Sequence, residues 1–260
     1  MRNGLLGTCW GVCFWLMVAG VGGTVLAGGK ALPQAEWSGL LNKVDQAEAQ
    51  GRDMKARMVI TLINKAGQKR ERQAIFFQKG TESRLIQFKS PASEAGISVL
   101  IRGTSVFLYL PQFQKTRRIA AHVKNQPFMG TDLSFDDMSS LQYGQENDVM
   151  SAVLEGEHYQ MKLKPKVGMS KSYTRLEMKV RKHDHQIVEI RFFDAQNQEY
   201  KRMERLGFRK FGDFSIPSTI QVKDMKSQHR TILDLQNMQL NTGVSARLFS
   251  LRYLKRDLEL

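Results

Sequence analysis

The sequence has only two cysteines, Cys9 and Cys13, and both lie within its first 13 residues. The rest of the chain therefore has no thiols from which a disulfide framework could form. Without disulfides, the fold must be stabilised by its own apolar core. With 260 residues the chain is long enough to bury the core of one large domain.

Long apolar runs are also absent, apart from one that extends from Trp10 to Ala27. Arg2 precedes this run, no charge interrupts it, and it ends in a small-x-small cleavage pattern, as in a secretory signal peptide. A retained transmembrane anchor is the alternative, since the run could just span a bilayer. We expect residues 1–27 to be a cleavable signal peptide for export to the periplasm, and residues 28–260 to form a single domain.

Acidic residues are few, with 25 Asp and Glu against 39 Lys and Arg, so the net charge is +14. In the cytosol such a charge would suggest nucleic-acid binding, but no arginine-rich tail or aromatic-interleaved basic motif supports it. For an exported chain we expect anionic membrane headgroups or an acidic protein face as partners, and no nucleic acid. Lys115, Arg117 and Arg118 are the candidate contacts. Alternatively, their charge only keeps an edge strand from pairing.

Two periodicities divide the chain. Residues 33–50 carry one apolar stripe at helical spacing, which predicts an amphipathic helix. The stripe consists of Trp37, Leu40, Leu41, Val44 and Ala47. From residue 56 onward, apolar and polar residues alternate in short segments between polar turns, which is typical of antiparallel strands. We expect about a dozen strands in a mainly β fold, whose curved sheet leaves a hydrophobic pocket on its concave side.

One segment breaks the alternation. Residues 126–138, QPFMGTDLSFDDM, place three aspartates among large apolar residues in a basic chain. A catalytic carboxylate pair or a calcium loop would need spacings and partner groups that this segment lacks. We favour a hinged flap with an apolar underside, and we name residues 120–142 the flap. An acidic docking site for a partner remains a further alternative.

The flap hypothesis makes local predictions. Gly130 allows the backbone to bend, and Ser134 with Asp137 approximates a capping box. Asp136 and Asp137 then lie in the first turn of a short helix, where the helix dipole favours them. This helix would run to about Leu141. The apolar residues that can point inward are Phe128, Met129, Leu133, Phe135 and Met138.

Other candidates for chemistry have simpler explanations. His183, Asp184 and His185 could bind a metal, but they lie between two strand patterns, so an exposed hairpin turn is favoured. The same holds for residues 155–158. No G-x-S-x-G nucleophile motif is present, and we expect neither an enzyme nor a bound cofactor or metal.

Several separated motifs, in order along residues 33–256, resemble the bacterial outer-membrane lipoprotein-sorting protein family, the LolA-like periplasmic carriers. These motifs are ISVLIRG, VFLYLPQFQKTRRIA, QPFMGTDLSFDDM, IPSTIQVKDM, HRTILDLQNMQLNTG and LFSLRYL. The resemblance implies an incomplete (half) β-barrel, covered by an N-terminal helix and a short mid-chain helical flap. It also implies a hydrophobic cavity that holds the acyl chains of lipids or lipoproteins without covalent chemistry.

The implied function is outer-membrane sorting or envelope lipid transport. An inner-membrane exporter (RND/MMPL-type) or an outer-membrane acceptor would be the protein partner. A periplasmic sensor or scaffold is the alternative, since LolA-like folds also occur in envelope-stress regulators that carry a second domain, which we do not expect after Leu260. Apolar positions could be ordinary core or cavity wall. Our candidates for ligand contact are Met58, Ile60, Leu62, Phe107, Tyr109, Phe128, Met129, Leu133 and Phe135.

Overall fold

The computed structural model describes residues 29–49, 51–139 and 142–260, so the expected signal peptide and Leu141 lie outside the described residues. Fourteen strands of this part form one antiparallel sheet, which is open and not closed into a barrel. The strands are β1 Lys30–Ala31, β2 Asp53–Ile63, β3 Lys69–Lys79, β4 Ser83–Ser90, β5 Ser98–Arg102, β6 Ser105–Leu110, β7 Lys115–Arg118, β8 Asn147–Glu155, β9 His158–Pro165, β10 Arg175–Arg181, β11 Ile187–Phe193, β12 Glu199–Phe211, β13 Phe214–Asp224 and β14 Arg230–Leu240. The predicted fold class is confirmed.

The helices are few and short. The α-helices are α1 Gln34–Glu48, α2 Phe135–Ser139 and α3 Tyr143–Glu146, and 3-10 turns occupy Pro111–Phe113, Ala121–Val123, Ala246–Phe249 and Tyr253–Lys255. Four of the five predicted stripe residues of α1 are buried, and Trp37 packs against them partly buried. The predicted amphipathic helix is therefore confirmed, and its apolar stripe packs against the sheet, which stabilises it.

The sheet consists of two meanders. Strands β2 to β7 follow one another, as do β8 to β14, and the meanders join where β14 pairs with β2, with Leu233 opposite Ile60. The two edges of the sheet are therefore β1 and β7. The flap follows edge strand β7 and leads to β8, which lies next to the other edge strand, β1. A segment with such endpoints must cross a face of the sheet, and the flap crosses the concave one.

Two apolar clusters fill the concave side. In the first, Leu40, Leu41 and Val44 of α1 pack over strands β8 to β13. In the second, Phe128 and Phe135 of the flap pack over β2 to β6 and β14. Helix α1 and the flap thus cover different parts of the concave face. The cavity described below is bordered by both of them.

A third cluster lies on the convex face of the sheet. Ile75, Phe77, Leu85 and Leu100 are buried there beneath the chain that follows β14. The covering residues are Val244, Phe249, Leu254 and Leu258. The second half of β3, together with β4 and β5, is therefore buried on both faces. The unbroken apolar runs in AIFF and SVLI were the sequence signal for this arrangement.

Candidate functional site

A cavity of about 180 Å³ lies between the concave face and the flap. The sheet supplies most of its walls, with apolar side chains from both meanders. The wall residues are Met54, Met58, Ile60, Phe76, Ile86, Phe88, Met203, Ile216, Ile220, Leu233 and Leu235, and the flap adds Phe128, Leu133 and Met138. Such a wall favours an apolar occupant, because water would find few hydrogen-bond partners there.

The flap inserts aromatic side chains into the concave side. The ring of Phe128 lies 5.9 Å from that of Phe88 on β4 and 5.0 Å from that of Phe135, measured between centroids. All three side chains are buried. Gly130 has a φ of +73°, so the predicted bend is present and uses a conformation that glycine adopts without strain.

The predicted capping box is confirmed. The backbone N–H of Asp137 donates to Ser134 Oγ at 3.1 Å, and the N–H of Ser134 donates to Asp137 Oδ2 at 2.7 Å. Asp136 and Asp137 lie in the first turn of α2, as expected. The helix ends at Ser139, just before the residues that are not described. Two hydrogen bonds thus fix the start of a helix that is too short to be stable by itself.

Ion pairs hold α2 against the sheet. Asp137 accepts from Lys201 of β12 at 2.7 Å, and Asp136 lies 3.0 Å from the Lys171 ammonium. Burial raises the pKa of the Asp136 carboxyl, an effect that Lys171 partly opposes. Sequence reasoning found the aspartates but not these cations, because each cation lies more than 30 residues away along the chain.

The flap is tied to the sheet at two further places. Asp132 lies 2.8 Å from His229 Nδ1 and accepts the Thr231 hydroxyl at 2.7 Å. On the opposite side, Arg72 of β3 donates to the Met129 carbonyl at 2.7 Å. Each of the three flap aspartates therefore has a cationic or hydroxyl partner that explains its position, which weakens the catalytic reading of the segment.

Polar groups gather at one end of the cavity, where the end of α1 meets the flap. Arg205 of β12 lies 2.5 Å from Glu48 and hydrogen-bonds to Tyr143. Arg84 of β4 donates to the carbonyl of Met138. Arg84 and Arg205 are each only 8% exposed. Sequence reasoning missed both, although each stands in phase with inward apolar residues: Arg84 with Ile86 and Phe88, and Arg205 with Met203.

The predicted ligand residues separate into three groups. Met58, Ile60, Phe128 and Leu133 line the cavity. Leu62, Met129 and Phe135 belong to the same concave cluster but do not border the cavity. The last two, Phe107 and Tyr109, pack in the convex cluster.

The structure therefore does not bring Phe107 and Tyr109 to the site. In β6 the inward positions belong to Val106, Leu108 and Leu110, which pack with the concave cluster. Because side chains alternate between faces, the aromatic residues between them must point outward. The register of β6 therefore decides which of its side chains face the cavity side of the sheet.

The basic residues Lys115, Arg117 and Arg118 are exposed on β7, an edge strand. Arg118 donates to the Ser105 hydroxyl of neighbouring β6. The position fits the edge-protecting alternative for these charges, and it leaves them accessible to an anionic surface.

The histidine motif lies in a hairpin, as predicted, between β10 and β11. Arg181 pairs with Asp184 at 2.5 Å, and the His185 ring stacks on Tyr159. Glu155 and His158 likewise flank the turn between β8 and β9. In the described ranges, no three potential His, Cys, Asp or Glu ligands lie close enough together to hold a metal ion. No helix there has both the length and the apolar character that crossing a bilayer requires.

Solved structures share this fold. A DUF1329 family protein from Desulfovibrio piger matches with a TM-score of 0.78 and 23% identity, over 85% of this chain and 99% of its own. A domain assigned to outer membrane lipoprotein sorting from Vibrio parahaemolyticus matches with a TM-score of 0.77 and 19% identity, over 86% and 100%. A LolA superfamily protein from Nitrosomonas europaea matches with a TM-score of 0.68 and 16% identity, over 83% and 97%. At these identities the likeness shows the fold.

Sequence comparisons give one further result. No curated protein matches the chain by sequence. A protein-family model, described as uncharacterized protein-like, matches residues 80–256. Because that match covers more than half of the sequence, the chain belongs to this family of uncharacterized proteins, and its architecture is the LolA-like fold.

Proposed function

We propose that the chain is a non-enzymatic periplasmic carrier, which binds acyl chains of lipids or lipoproteins in the cavity beneath the flap. The observation that carries the proposal is this cavity, apolar along most of its wall and partly covered by a separate segment of chain. The LolA-like fold supports it, since one structural match is assigned to outer membrane lipoprotein sorting.

The size of the cavity limits what the closed state holds. Its volume of about 180 Å³ is close to that of an engineered cavity of roughly 150 Å³ that binds benzene. It therefore admits a short acyl segment, and a longer chain would have to displace the flap or extend through the open side of the cavity. Burial of each methylene gains roughly 0.8 kcal/mol, so a sixteen-carbon chain offers on the order of 10 kcal/mol before ordering costs.

Such affinity makes release the difficult step. The flap must open again, which means separating the Asp137–Lys201 and Asp132–His229 contacts from the sheet. A partner that competes for these groups, or for the ligand, would accelerate release. An inner-membrane exporter or an outer-membrane acceptor fits this role, and exposed Lys115, Arg117 and Arg118 offer contacts for anionic headgroups.

A specific observation favours one alternative, a periplasmic sensor or scaffold. Phe128 and Phe135 of the flap already fill much of the concave side against Phe88. A site filled by its own side chains needs no ligand for stability. The two functions differ in whether the flap aromatics give way to an apolar guest.

The test is mass spectrometry of the protein purified from a periplasmic extract without detergent, measured natively and after organic extraction. We expect a stoichiometric lipid or acylated peptide. The variant Leu233→Trp, which fills the cavity, should no longer co-purify with this ligand. The same change at Leu248 in the convex cluster should leave the ligand bound. A ligand-free wild-type protein that also takes up no added phospholipid or lipopeptide contradicts the carrier and supports the scaffold.

A further inference from the structure

The polar end of the cavity has a composition that an acyl-chain site does not need. Arg84 and Arg205 place two guanidinium groups beside an apolar wall, and both side chains are more than nine-tenths buried. We propose, on the basis of the carrier function above, that these two arginines bind the carboxylate of a single-chain fatty-acid-like amphiphile whose tail occupies the apolar part of the cavity.

Arg84 and Arg205 share a single carboxylate partner within the described ranges. In the part of the chain that the structure describes, Glu48 is the one carboxylate that interacts strongly with either arginine, and it forms its ion pair with Arg205. None of the ion pairs among the described residues includes Arg84, whose hydrogen-bond acceptor is the neutral carbonyl of Met138. Arg84 is thus buried without an ion pair of its own, an arrangement that is costly unless an anion compensates it.

The burial of Arg84 also affects the pKa of its guanidinium group. The pKa of the Arg84 guanidinium is lowered to about 10, chiefly by burial; the charges of Glu48 and Tyr143 oppose this change, and the charge of Arg205 adds to it. Arg84 is still protonated at neutral pH. A bound carboxylate would stabilise the charged form of Arg84. This stabilisation would contribute to the free energy of ligand binding.

A hydrogen-bond donor at the site is also unused. Arg205 directs Nη1 to Glu48, but its Nε is buried without an acceptor among the described residues. A guanidinium offers donors in a fixed planar fork that matches a carboxylate. An anion beside Arg205 would satisfy Nε and approach Arg84 together.

The geometry favours a carboxylate over a phospholipid phosphate. A fatty acid and a phosphodiester are both monoanions at neutral pH, but the carboxylate head group is smaller and has only one substituent. A phosphodiester carries substituents on both sides and would need room for a glycerol or head-group moiety beyond the arginines. Within a cavity of about 180 Å³, the smaller head group is the one that fits.

Arg84 also contacts the flap, so its removal could act by loosening the closed state. A matched pair of ligands separates the two effects. Loss of the flap contact would weaken binding of an acid and an alcohol of equal chain length alike. Loss of anion recognition would weaken binding of the acid alone.

The experiment measures displacement of the neutral dye Nile red from delipidated protein by dodecanoate, dodecanol and dodecyl phosphate. We expect wild-type protein to prefer dodecanoate to dodecanol by about 10- to 100-fold, the range for hydrogen bonds to charged groups. Arg84→Met should abolish the preference, and so should Arg205→Met combined with Glu48→Gln. Arg209→Met, at an exposed position of the same strand β12, should leave it unchanged.

The wild-type protein also gives an answer without any variant, should these substitutions prevent folding. The preference for the acid should fade as pH falls through the carboxyl pKa, roughly 4 to 5, because the protonated head group carries no charge. Equal affinity for acid and alcohol at neutral pH would overturn the proposal but leave the carrier function intact. Tighter binding of dodecyl phosphate would overturn the carboxylate assignment. Failure of all three ligands to displace the dye would count against the carrier function itself.

Discussion

The Lys201 ammonium of β12 lies 2.7 Å from the Asp137 carboxylate of the flap, and the two side chains are only 8% and 6% exposed. Asp137 also accepts the backbone N–H and the hydroxyl of Ser134. One carboxylate thus begins helix α2 and attaches it to the sheet. The contact joins residues 64 positions apart, so it forms only when the flap is in place.

Removal of Lys201 alone should be severe. Lys201→Met leaves the Asp137 carboxylate buried without its cation, which we expect to cost about 3–5 kcal/mol of unfolding free energy. Urea unfolding measures this cost. The double variant Lys201→Met, Asp137→Asn should recover part of the loss, since no isolated charge remains.

The matched control is Lys226→Met. Lys226 pairs with Asp194 at 3.6 Å, but its side chain is 74% exposed. An exposed pair of this kind should contribute less than about 1 kcal/mol. If both lysine variants lost stability equally, the buried pair would not be the attachment of the flap.

The capping box predicts a smaller effect. Ser134→Ala removes the acceptor for the Asp137 N–H and should lower the unfolding free energy by about 1 kcal/mol. Ser134→Thr keeps the hydroxyl and should cost less. Hydrogen exchange of the α2 amides would localise the change, and equal exchange in the alanine variant and the wild type would contradict the role of the cap.

Asp45 provides a pH-dependent prediction. Its carboxylate accepts the N–H groups of Tyr143 and Gly144 at 2.8 and 2.9 Å, and so links α1 to α3. Burial raises the pKa of Asp45 above its usual 3.8, although these two N–H groups oppose the change. The folded state therefore holds the proton more tightly than the unfolded state does. The resulting stabilisation is present below the unfolded pKa and is lost as pH rises through the folded one.

Urea unfolding of wild type and Asp45→Asn at about pH 4 and about pH 7 tests this sign. The stability advantage of the wild type over the variant should be smaller at the higher pH. Asp257→Asn is the control with the opposite sign, because the hydrogen bond and charge of Lys89 lower the pKa of the Asp257 carboxyl. The stability advantage of the wild type over Asp257→Asn should grow as pH rises. Parallel behaviour of the two variants would contradict the burial effect at Asp45.

The basic edge strand predicts membrane association. Replacement of Lys115, Arg117 and Arg118 by Gln should weaken binding to vesicles that contain anionic lipid by up to about 1 kcal/mol per residue at low salt. Co-sedimentation measures it, and added salt should reduce the difference. Lys65, Lys69 and Arg70, exposed near the β2–β3 turn, provide a control of equal charge. An equal loss from both triple variants would assign the effect to net charge alone.

Local patterns in the sequence predicted the parts of this structure that depend on neighbouring residues. The apolar stripe of α1, the capping box at Ser134 and the bend at Gly130 all arise within a few residues, so their physical causes are visible in short windows. Alternation also predicted the strands. It did not settle which face each one presents, and Phe107 and Tyr109 were placed on the wrong one.

The polar end of the site could not be predicted in the same way. The partners Glu48 and Arg205 are 157 positions apart, and they meet because α1 packs over the meander that contains β12. Spacing along the chain carries no trace of such a contact. A weaker signal did exist, since a charged residue in phase with an inward apolar face must find a buried partner. Arg84 and Arg205 both satisfy that description.

The two edges of the sheet, β1 and β7, are not hydrogen-bonded to each other. In a closed barrel, the number of strands and their stagger fix the diameter. Here a small change of twist between each pair of neighbours can widen or narrow the concave side while every ladder of hydrogen bonds stays intact. In the proposed carrier, such a change of width would let the concave side accommodate apolar ligands of different thickness beneath the same flap.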